Sequence, residues 1–354
     1  MTIAPTLITW YEANKRDLPW RHTREPYAVW LSEIILQQTR VDQGMAYYHK
    51  FLALFPTVHD LAAASEDAVL KAWQGLGYYS RARNLHATAK MVVGEYGGHF
   101  PQTAEELRKL KGIGEYTAAA IASFCFGEKI PVMDGNVMRV VSRLTAMEDP
   151  IDKPIGRSKV QAFLNEWIPD GQPDTFNQAM MEFGALHCTP RNPSCTNCVF
   201  AEVCDARRLG VVERLPYKAG KTAVSHLWMY YTVITCGNQV LVRRRNHSGI
   251  WKGLYDFPSW DVTAPAEVDD VLSNYAQDLM NRQSFKLDDV SAEFKHVLSH
   301  RVVHAYFIRI TVSDPFDASG IMRWVERNEL QELGVSRLVD RYLQQQHGVL
   351  NAME

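Results

Sequence analysis

The chain has 354 residues, 46% of them hydrophobic and 22% charged, with a formal net charge of −2. That length is too great for one ordinary domain and comfortable for two, and the composition is that of a folded globular protein, not a disordered or fibrous one. The near-neutral balance gives no electrostatic sign of a nucleic-acid partner, yet a basic face can coexist with an acidic one, so any such partner must be argued from motifs. The opening MTIAPTLITWYEANKRDLPW has the pattern of a short amphipathic helix, not that of a signal peptide. The longest apolar run, near YTAAAIASFCFG, falls short of a membrane span. The expectation is a cytoplasmic protein with no membrane partner.

The first two hundred residues read almost entirely as helix. PYAVWLSEIILQQTRVDQGMAYYHKFLALF and SEDAVLKAWQGLGYYSRARNLHATAKMVVGEY place apolar residues at intervals of three and four, separated by short Gly or Pro breaks. Within the first, Glu33 sits in the apolar run Trp30-Leu-Ser-Glu33-Ile-Ile-Leu-Gln37-Gln38-Thr39, with Trp30 and Gln37 one turn away on the same face. Most helical carboxylates are solvated, but little polar face surrounds this one. A buried Glu33 would have a raised pKa and hold a proton near neutral pH, as a general acid must.

Next comes Leu107-Arg-Lys-Leu110-Lys-Gly112-Ile-Gly114-Glu-Tyr116-Thr-Ala, which predicts two helices meeting at a Gly112-Ile113-Gly114 turn. Glycines there allow positive φ and close approach of a phosphate, and the helix starting near Glu115 offers free N–H groups to it. Further on, Asp134 in Val132-Met-Asp134-Gly-Asn136-Val precedes the helix GNVMRVVSRL, where on its own it reads as an N-cap. The helical half closes with Cys188, Cys195, Cys198 and Cys204, spaced C-x6-C-x2-C-x5-C; Cys125 and Cys236 lie elsewhere. Four thiols this close in an intracellular-type protein favour one metal centre over two disulfides. Structural zinc sites usually show two short knuckles, whereas this compact, unequal run suits a [4Fe–4S] cluster.

Residues 206–225 mix Gly, Pro and basic residues without periodicity, and a linker is placed at 211–225. Beyond it HLWMYYTVITC, QVLVRRRN, LYDFPSW and HAYFIRITVS read as strands, with helices at EVDDVLSNYAQDLMNR and NELQELGVSRLVDRYLQQQ. The fold class is therefore multidomain: an all-helical domain at 1–210 carrying the cysteine loop, then an α+β domain at 226–345. Cys125 reads as a small core residue, and Arg243-Arg244-Arg245 as either a phosphate contact or a solvated strand end. His296, His300 and His304 recur every four residues but lack an evident carboxylate partner for a metal.

The hairpin resembles the helix-hairpin-helix motif of DNA-binding proteins, which grips the backbone without reading sequence. Together with the order of segments ending in the cysteine run, residues 5–210 resemble the endonuclease III superfamily. Leu18 to Arg21, the Trp30–Thr39 segment, GLGYYSRARN (75–84), the hairpin, Met133–Val137 and FNQAMMEFGA (176–185) are similar to the MutY-type adenine DNA glycosylases. VLVRRRNHSGIWKGLYDFP resembles that family's Nudix-related C-terminal domain, with Leu298-Ser299-His300 at its Phe-Ser-His loop. No Glu-rich Nudix box is present, so pyrophosphate hydrolysis is not expected.

The resemblance implies a monofunctional glycosylase that removes adenine mispaired with 8-oxoguanine or guanine from double-stranded DNA, acting as a monomer at the bacterial nucleoid. It implies that Glu33 protonates adenine N7, that Asp134 stabilises the oxocarbenium-like sugar, and that Tyr116 places the pair. It further implies that Gln38 and Tyr78 enter the duplex beside 8-oxoguanine, that Gly112 and Gly114 hold phosphate, that Asn136 supports the pocket, and that Ser299 and His300 contact the lesion. The four cysteines would hold a mainly structural [4Fe–4S] cluster. Three departures matter: Tyr116 stands where lyase relatives have a Schiff-base lysine, Met138 where some members have a trapping lysine, and Leu298 where a Phe is usual. The alternatives are a pyrimidine glycosylase with lyase activity and a non-catalytic DNA-binding homologue.

Overall fold

The computed structural model describes residues 3–220, 223–246, 249–273, 284–318 and 320–351, with side chains described as far as residue 346. The chain condenses into two compact units, one of residues 1–63 and 84–221, the other of 64–83 and 222–354. Residues 64–83, which sequence periodicity groups with the helical half, thus pack with the β-rich half. Helical periodicity reports that one face is buried and is silent about which neighbour buries it.

The first unit holds α1 (Ile3–Asn14), α2 (Pro26–Leu36), α3 (Val41–Leu54) and α4 (Val58–Ala63). After α5 (Glu66–Trp73), α6 (Ser80–Tyr96) leads back into it, followed by α7 (Ala104–Leu107), α8 (Glu115–Phe126), α9 (Gly135–Leu144), α10 (Pro154–Trp167), α11 (Pro173–Leu186) and α12 (Asp205–Arg208). Helix ends follow local chemistry. Pro26 opens α2 while the Glu25 carboxylate accepts the Ala28 N–H at 2.7 Å. Gly127, at φ +72°, ends α8 in the left-handed conformation that glycine adopts without penalty. One core gathers Leu7, Tyr11, Val140, Val141, Val160, Leu164, Phe176 and Phe183 from α1, α9, α10 and α11. A second gathers Val29, Ala119, Ala120, Phe124 and Val132, and Met181 packs against both. Buried Asn177 pins α11 to the segment leading into α9: its Oδ1 accepts the Val132 N–H at 2.9 Å, and its Nδ2 donates to Ser123 Oγ and to the Ile130 carbonyl. The stretch read as a linker is tied down in part. Ile151 N–H donates to the Tyr217 carbonyl, and the Asp152 carboxylate accepts from the amides of Ala219 and Gly220.

Among the described residues the second unit holds an eight-stranded sheet of β1 (Ser225–Cys236), β2 (Gln239–Arg244), β3 (Tyr255–Asp256), β4 (Ser259–Val262), β5 (Phe285–Val290), β6 (Phe294–Leu298), β7 (Arg301–Val312) and β8 (Met322–Glu326). Its main path runs β3-β2-β1-β7-β5, with β4 on β1, β6 on β7 and β8 on β2. The central β1–β7 pair is parallel. One face carries Met229, Tyr231, Phe307 and Phe294, packed on Tyr342 of α14 (Arg337–Asn351). The other carries Tyr230, Ile234, Ile308 and Ile310 against Val271 of α13 (Val268–Val271). Of the helix expected over 267–282, residues 274–282 lie outside the described residues, as do His247 and Ser248. The expected C-terminal helix is interrupted, because the Gly334 carbonyl accepts the Tyr255 N–H and Val335 bridges to Tyr255, drawing that backbone out of the helix. Among the described residues no helix is long and apolar enough to cross a membrane.

Candidate active site

A cleft of about 1780 Å³ opens in the first unit, and Glu33, Tyr116 and Asp134 line it. Glu33 sits on α2, whose buried residues run from Tyr27 to Ile35 apart from Ala28, and it lines the cleft. It is 8% exposed. Burial pushes its pKa up to about 7, and the nearby Asp134 charge adds to the rise, while the Tyr116 hydroxyl and the Arg21 charge oppose it. Tyr116, one residue into α8, hydrogen-bonds Glu33 and also approaches Met181 Sδ at 3.5 Å.

Asp134 is indeed the N-cap of α9, accepting the Val137 N–H at 2.7 Å. Both carboxylate oxygens are engaged, since one caps while the other accepts from Asn136 Nδ2 at 2.8 Å, and Asp134 lines the cleft. Burial raises its pKa as well, against those two hydrogen bonds and the Arg139 charge. Glu33 and Asp134 therefore sit in unlike surroundings: Glu33 is set in an apolar helix with Tyr116, while Asp134 accepts amide hydrogen bonds that oppose the effect of its burial.

Gln38, Gly112, Gly114 and Asn136 line the same cleft. Gln38 has φ +55°, an uncommon left-handed conformation for a residue with a side chain. Gly112 has φ +79°, and a Cβ there would lie 2.6 Å from Asn84 Cβ, so a glycine is required on two counts. Gly184 on α11 is another close approach, since a Cβ would lie 2.7 Å from Asn136 Cβ and 3.0 Å from its carbonyl oxygen. Gly184→Ala should therefore overpack the α9–α11 contact and destabilise the fold by about 1–3 kcal/mol, measured by urea unfolding.

Two arginine networks were not foreseen. Glu182 on α11, 1% exposed in its side chain, accepts from Arg16 Nε (2.9 Å) and Nη2 (2.6 Å) and from Arg21 Nη1 (3.0 Å) and Nη2 (2.8 Å). All three residues line the cleft, and the guanidinium groups hold Glu182 down to about 2. Arg139 on α9 donates to Asn136 Oδ1, Gly184 O and Cys188 O, tying the Asp134 turn to the start of the cysteine loop. The available signal was a charged residue on the buried side of an amphipathic helix.

The four cysteines ring one small pocket with Val140, Arg143, Leu144, Phe183 and His187. Burial raises the thiols of Cys195, Cys198 (to about 11) and Cys204. Arg143 Nη1 and the Phe200 N–H each approach a sulfur at 3.4 Å, on Cys188 and Cys198, and His187 Nε2 is buried without a partner. Among the described residues no group of three or more His, Cys, Asp or Glu side chains is placed to hold a metal ion. Four cysteines around an apolar pocket, with N–H donors near two of their sulfurs, are a thiol-rich donor set compatible with an iron–sulfur cluster.

In the second unit the Tyr78 hydroxyl hydrogen-bonds Ser299 Oγ, joining two residues 221 positions apart. The His300 carbonyl accepts from Ser225 N–H (3.0 Å) and Oγ (3.1 Å), which fixes the turn between β6 and β7. His296 and His304 do not share a face: His304 lies opposite Lys295, and His296 opposite Val303. His304 instead bonds Glu293 at 2.7 Å and His226 at 2.9 Å. The arginine run is engaged within the fold. Arg243 and Arg245 bind Asp256, Arg245 also binds Asp261, and Arg244 bridges Glu66 and Asp67.

Residues 31–170 match the HhH-GPD superfamily base excision DNA repair protein family, and 229–345 match the NUDIX domain. The chain is 32% identical over 346 residues to an adenine DNA glycosylase of Buchnera aphidicola, covering 96% of this chain and 95% of that one. It is 43% identical over 219 residues to the human adenine DNA glycosylase, covering 59% of this chain, and 36% identical over 349 residues to that of Arabidopsis thaliana, covering 83%. It spans only 40% of the human protein and 54% of the Arabidopsis one. A thermostable thymine-DNA glycosylase structure superposes with a TM-score of 0.55 at 29% identity, over 58% of this chain and 95% of that one. An endonuclease III–DNA covalent intermediate gives 0.51 at 23%, over 58% and 94%, a likeness of fold alone.

Proposed function

We infer the reaction from one premise: this chain belongs to the adenine DNA glycosylase family. It removes adenine mispaired with 8-oxoguanine or guanine from duplex DNA by hydrolysing the N-glycosidic bond, acting as a monomer at the nucleoid. The observation that carries this reading is the pairing in one cleft of a buried carboxyl near pKa 7 with a second carboxyl held by amide donors. The bond is out of reach inside the base stack, so the nucleotide must be extruded into the cleft.

Glu33 gives its proton to adenine N7, and the C1′–N9 bond breaks with its electron pair leaving on the base. Asp134 offsets the positive charge that develops on the sugar. Water then adds to C1′ and passes a proton back to the Glu33 carboxylate, leaving an abasic site and free adenine, by the logic of a glycosidase carboxylate pair. Tyr116 orients Glu33 through their hydrogen bond. Its phenol cannot form a Schiff base. The lysine among the described residues that line the cleft, Lys15, is paired with Glu12. Strand cleavage by β-elimination is therefore not expected. Gly112 and Gly114 hold backbone phosphate, Gln38 and Tyr78 enter the duplex, and Ser299 and His300 contact 8-oxoguanine.

Cys188, Cys195, Cys198 and Cys204 hold a [4Fe–4S] cluster. Bound there, it supplies a structural cross-link for the loop, and the chemistry stays with the carboxyl groups.

The deciding experiment uses duplexes containing adenine opposite 8-oxoguanine or guanine, followed with and without alkali. Strand scission is expected only after alkali. Scission without it, together with borohydride trapping of a protein–DNA adduct, would establish the lyase alternative, and no adenine release at all would establish a non-catalytic homologue.

A further inference from the structure

The turn between α5 and α6 is built around an arginine that the reaction does not use. Gly75 (φ +103°), Gly77 (φ +71°) and Tyr78 (φ +46°) take left-handed conformations almost in succession. Glycine does so freely, whereas Tyr78 carries a side chain that disfavours it, so its neighbours must hold it there. The ring is 47% exposed. Arg81, 9% exposed, donates from Nη2 to the carbonyls of Leu76 (3.2 Å) and Gly77 (3.4 Å). Its guanidinium lies 5.0 Å from the Trp73 ring centroid and 5.6 Å from that of Tyr78. Trp73 Nε1 adds a bond to the same Gly77 carbonyl at 3.0 Å, and Arg81 N–H closes the turn on the Tyr78 carbonyl at 2.8 Å.

We propose that Arg81 is a positioning residue for Tyr78: bridging the carbonyls of the turn and backing one face of the ring, it fixes the phenol outward as a rigid wedge before DNA arrives. The inference rests on the reading of Tyr78 as a group that enters the duplex. A planar guanidinium can do both tasks at once, since its Nη2 is shared between two carbonyls while the cation lies over the aromatic rings. The remaining ring surface stays open for stacking on a base. Fixing the ring in advance removes an ordering cost from DNA binding. Burial also lowers the Arg81 pKa to about 10, which leaves it charged at neutral pH.

The test is a double-mutant cycle on the whole protein, reading affinity for a duplex with 2′-fluoro-2′-deoxyadenosine opposite 8-oxoguanine, which binds but resists cleavage. Arg81→Met should weaken binding about 10-fold by loss of preorganisation. In a Tyr78→Ala background the same change should have almost no further effect, because the group it positions is gone. Arg81→Lys, which keeps the charge and stem without the fork, should recover only part of the loss and serves the same cycle if the Met variant fails to fold. Full additivity of Arg81→Met and Tyr78→Ala would overturn the proposal. A Tyr78→Ala variant that binds as tightly as wild type would instead remove the reading of Tyr78 itself.

Discussion

Glu33→Gln should lower the single-turnover rate of adenine release by about 10²–10⁴-fold, the usual worth of a general acid, and leave duplex affinity largely intact. Gln keeps the shape and a hydrogen bond toward Tyr116, and lacks the acidic proton. The pH profile provides the sharper signature. The Glu33 carboxyl sits near pKa 7, so its protonated form falls tenfold per pH unit above that value, and the rate should fall with it. The variant should lose that limb. Linkage has a definite sign too. The folded pKa is raised above the ordinary 4.5, so the folded state binds this proton more tightly than the unfolded chain. Its stabilisation is complete below pH 4.5 and is lost as pH rises through about 7, for a total on the order of 3 kcal/mol. Glu33→Gln should therefore be more stable than wild type above pH 7. A variant that releases adenine at the wild-type rate, or an alkaline limb that survives the substitution, would remove Glu33 from the acid role.

The parts of this site that were legible in the sequence are those where a local pattern was broken. Glu33 stood out because a carboxyl inside an apolar helical run is anomalous before any neighbour is known. Gly112 stood out because a glycine between two helical patterns signals a turn. Asp134 was legible only as an N-cap, which it is, and the role proposed for it came from the resemblance. Arg16 and Arg21 gave no such signal, because their partner Glu182 lies 166 and 161 residues away and each looks like an ordinary surface charge. The same limit hid the Tyr78–Ser299 contact. The parallel β1–β7 pairing was equally invisible, because alternation along a strand gives its buried face and not its neighbour. Arg243, Arg244 and Arg245 show the converse. A basic run left a phosphate contact and a solvated strand end equally open, and the carboxylates that engage it, Asp256, Asp261, Glu66 and Asp67, became visible only in three dimensions.

Glu182→Leu should be the most damaging single change to stability, costing about 3–5 kcal/mol, because it strands Arg21 in a mostly buried position without its anion. The Arg21 side chain is 13% exposed and cannot fully rehydrate, whereas Arg16, at 36%, can swing toward solvent, so most of the loss belongs to Arg21. Glu182→Gln should be milder, since the amide oxygen can still accept one of the five hydrogen bonds that Arg16 and Arg21 donate, the Arg16 backbone N–H among them. Acid titration separates these explanations. Glu182 has its folded pKa depressed from 4.5 to about 2, so its contribution is present above pH 4.5 and is lost as pH falls toward 2. Urea unfolding from pH 5 to pH 2.5 should show wild type losing stability steeply, and both variants losing less. The Glu33 carboxyl should feel the change as well. The Arg21 charge already pulls the Glu33 pKa down against its burial, and removing Glu182 takes away the anion that partly cancels that field. The alkaline limb of adenine release should then move to lower pH in Glu182→Gln, at a rate below pH 6 that stays close to wild type if Glu182 acts only through Arg21. An unmoved limb would mean that the triad supports the cleft wall without setting the charge felt by the acid.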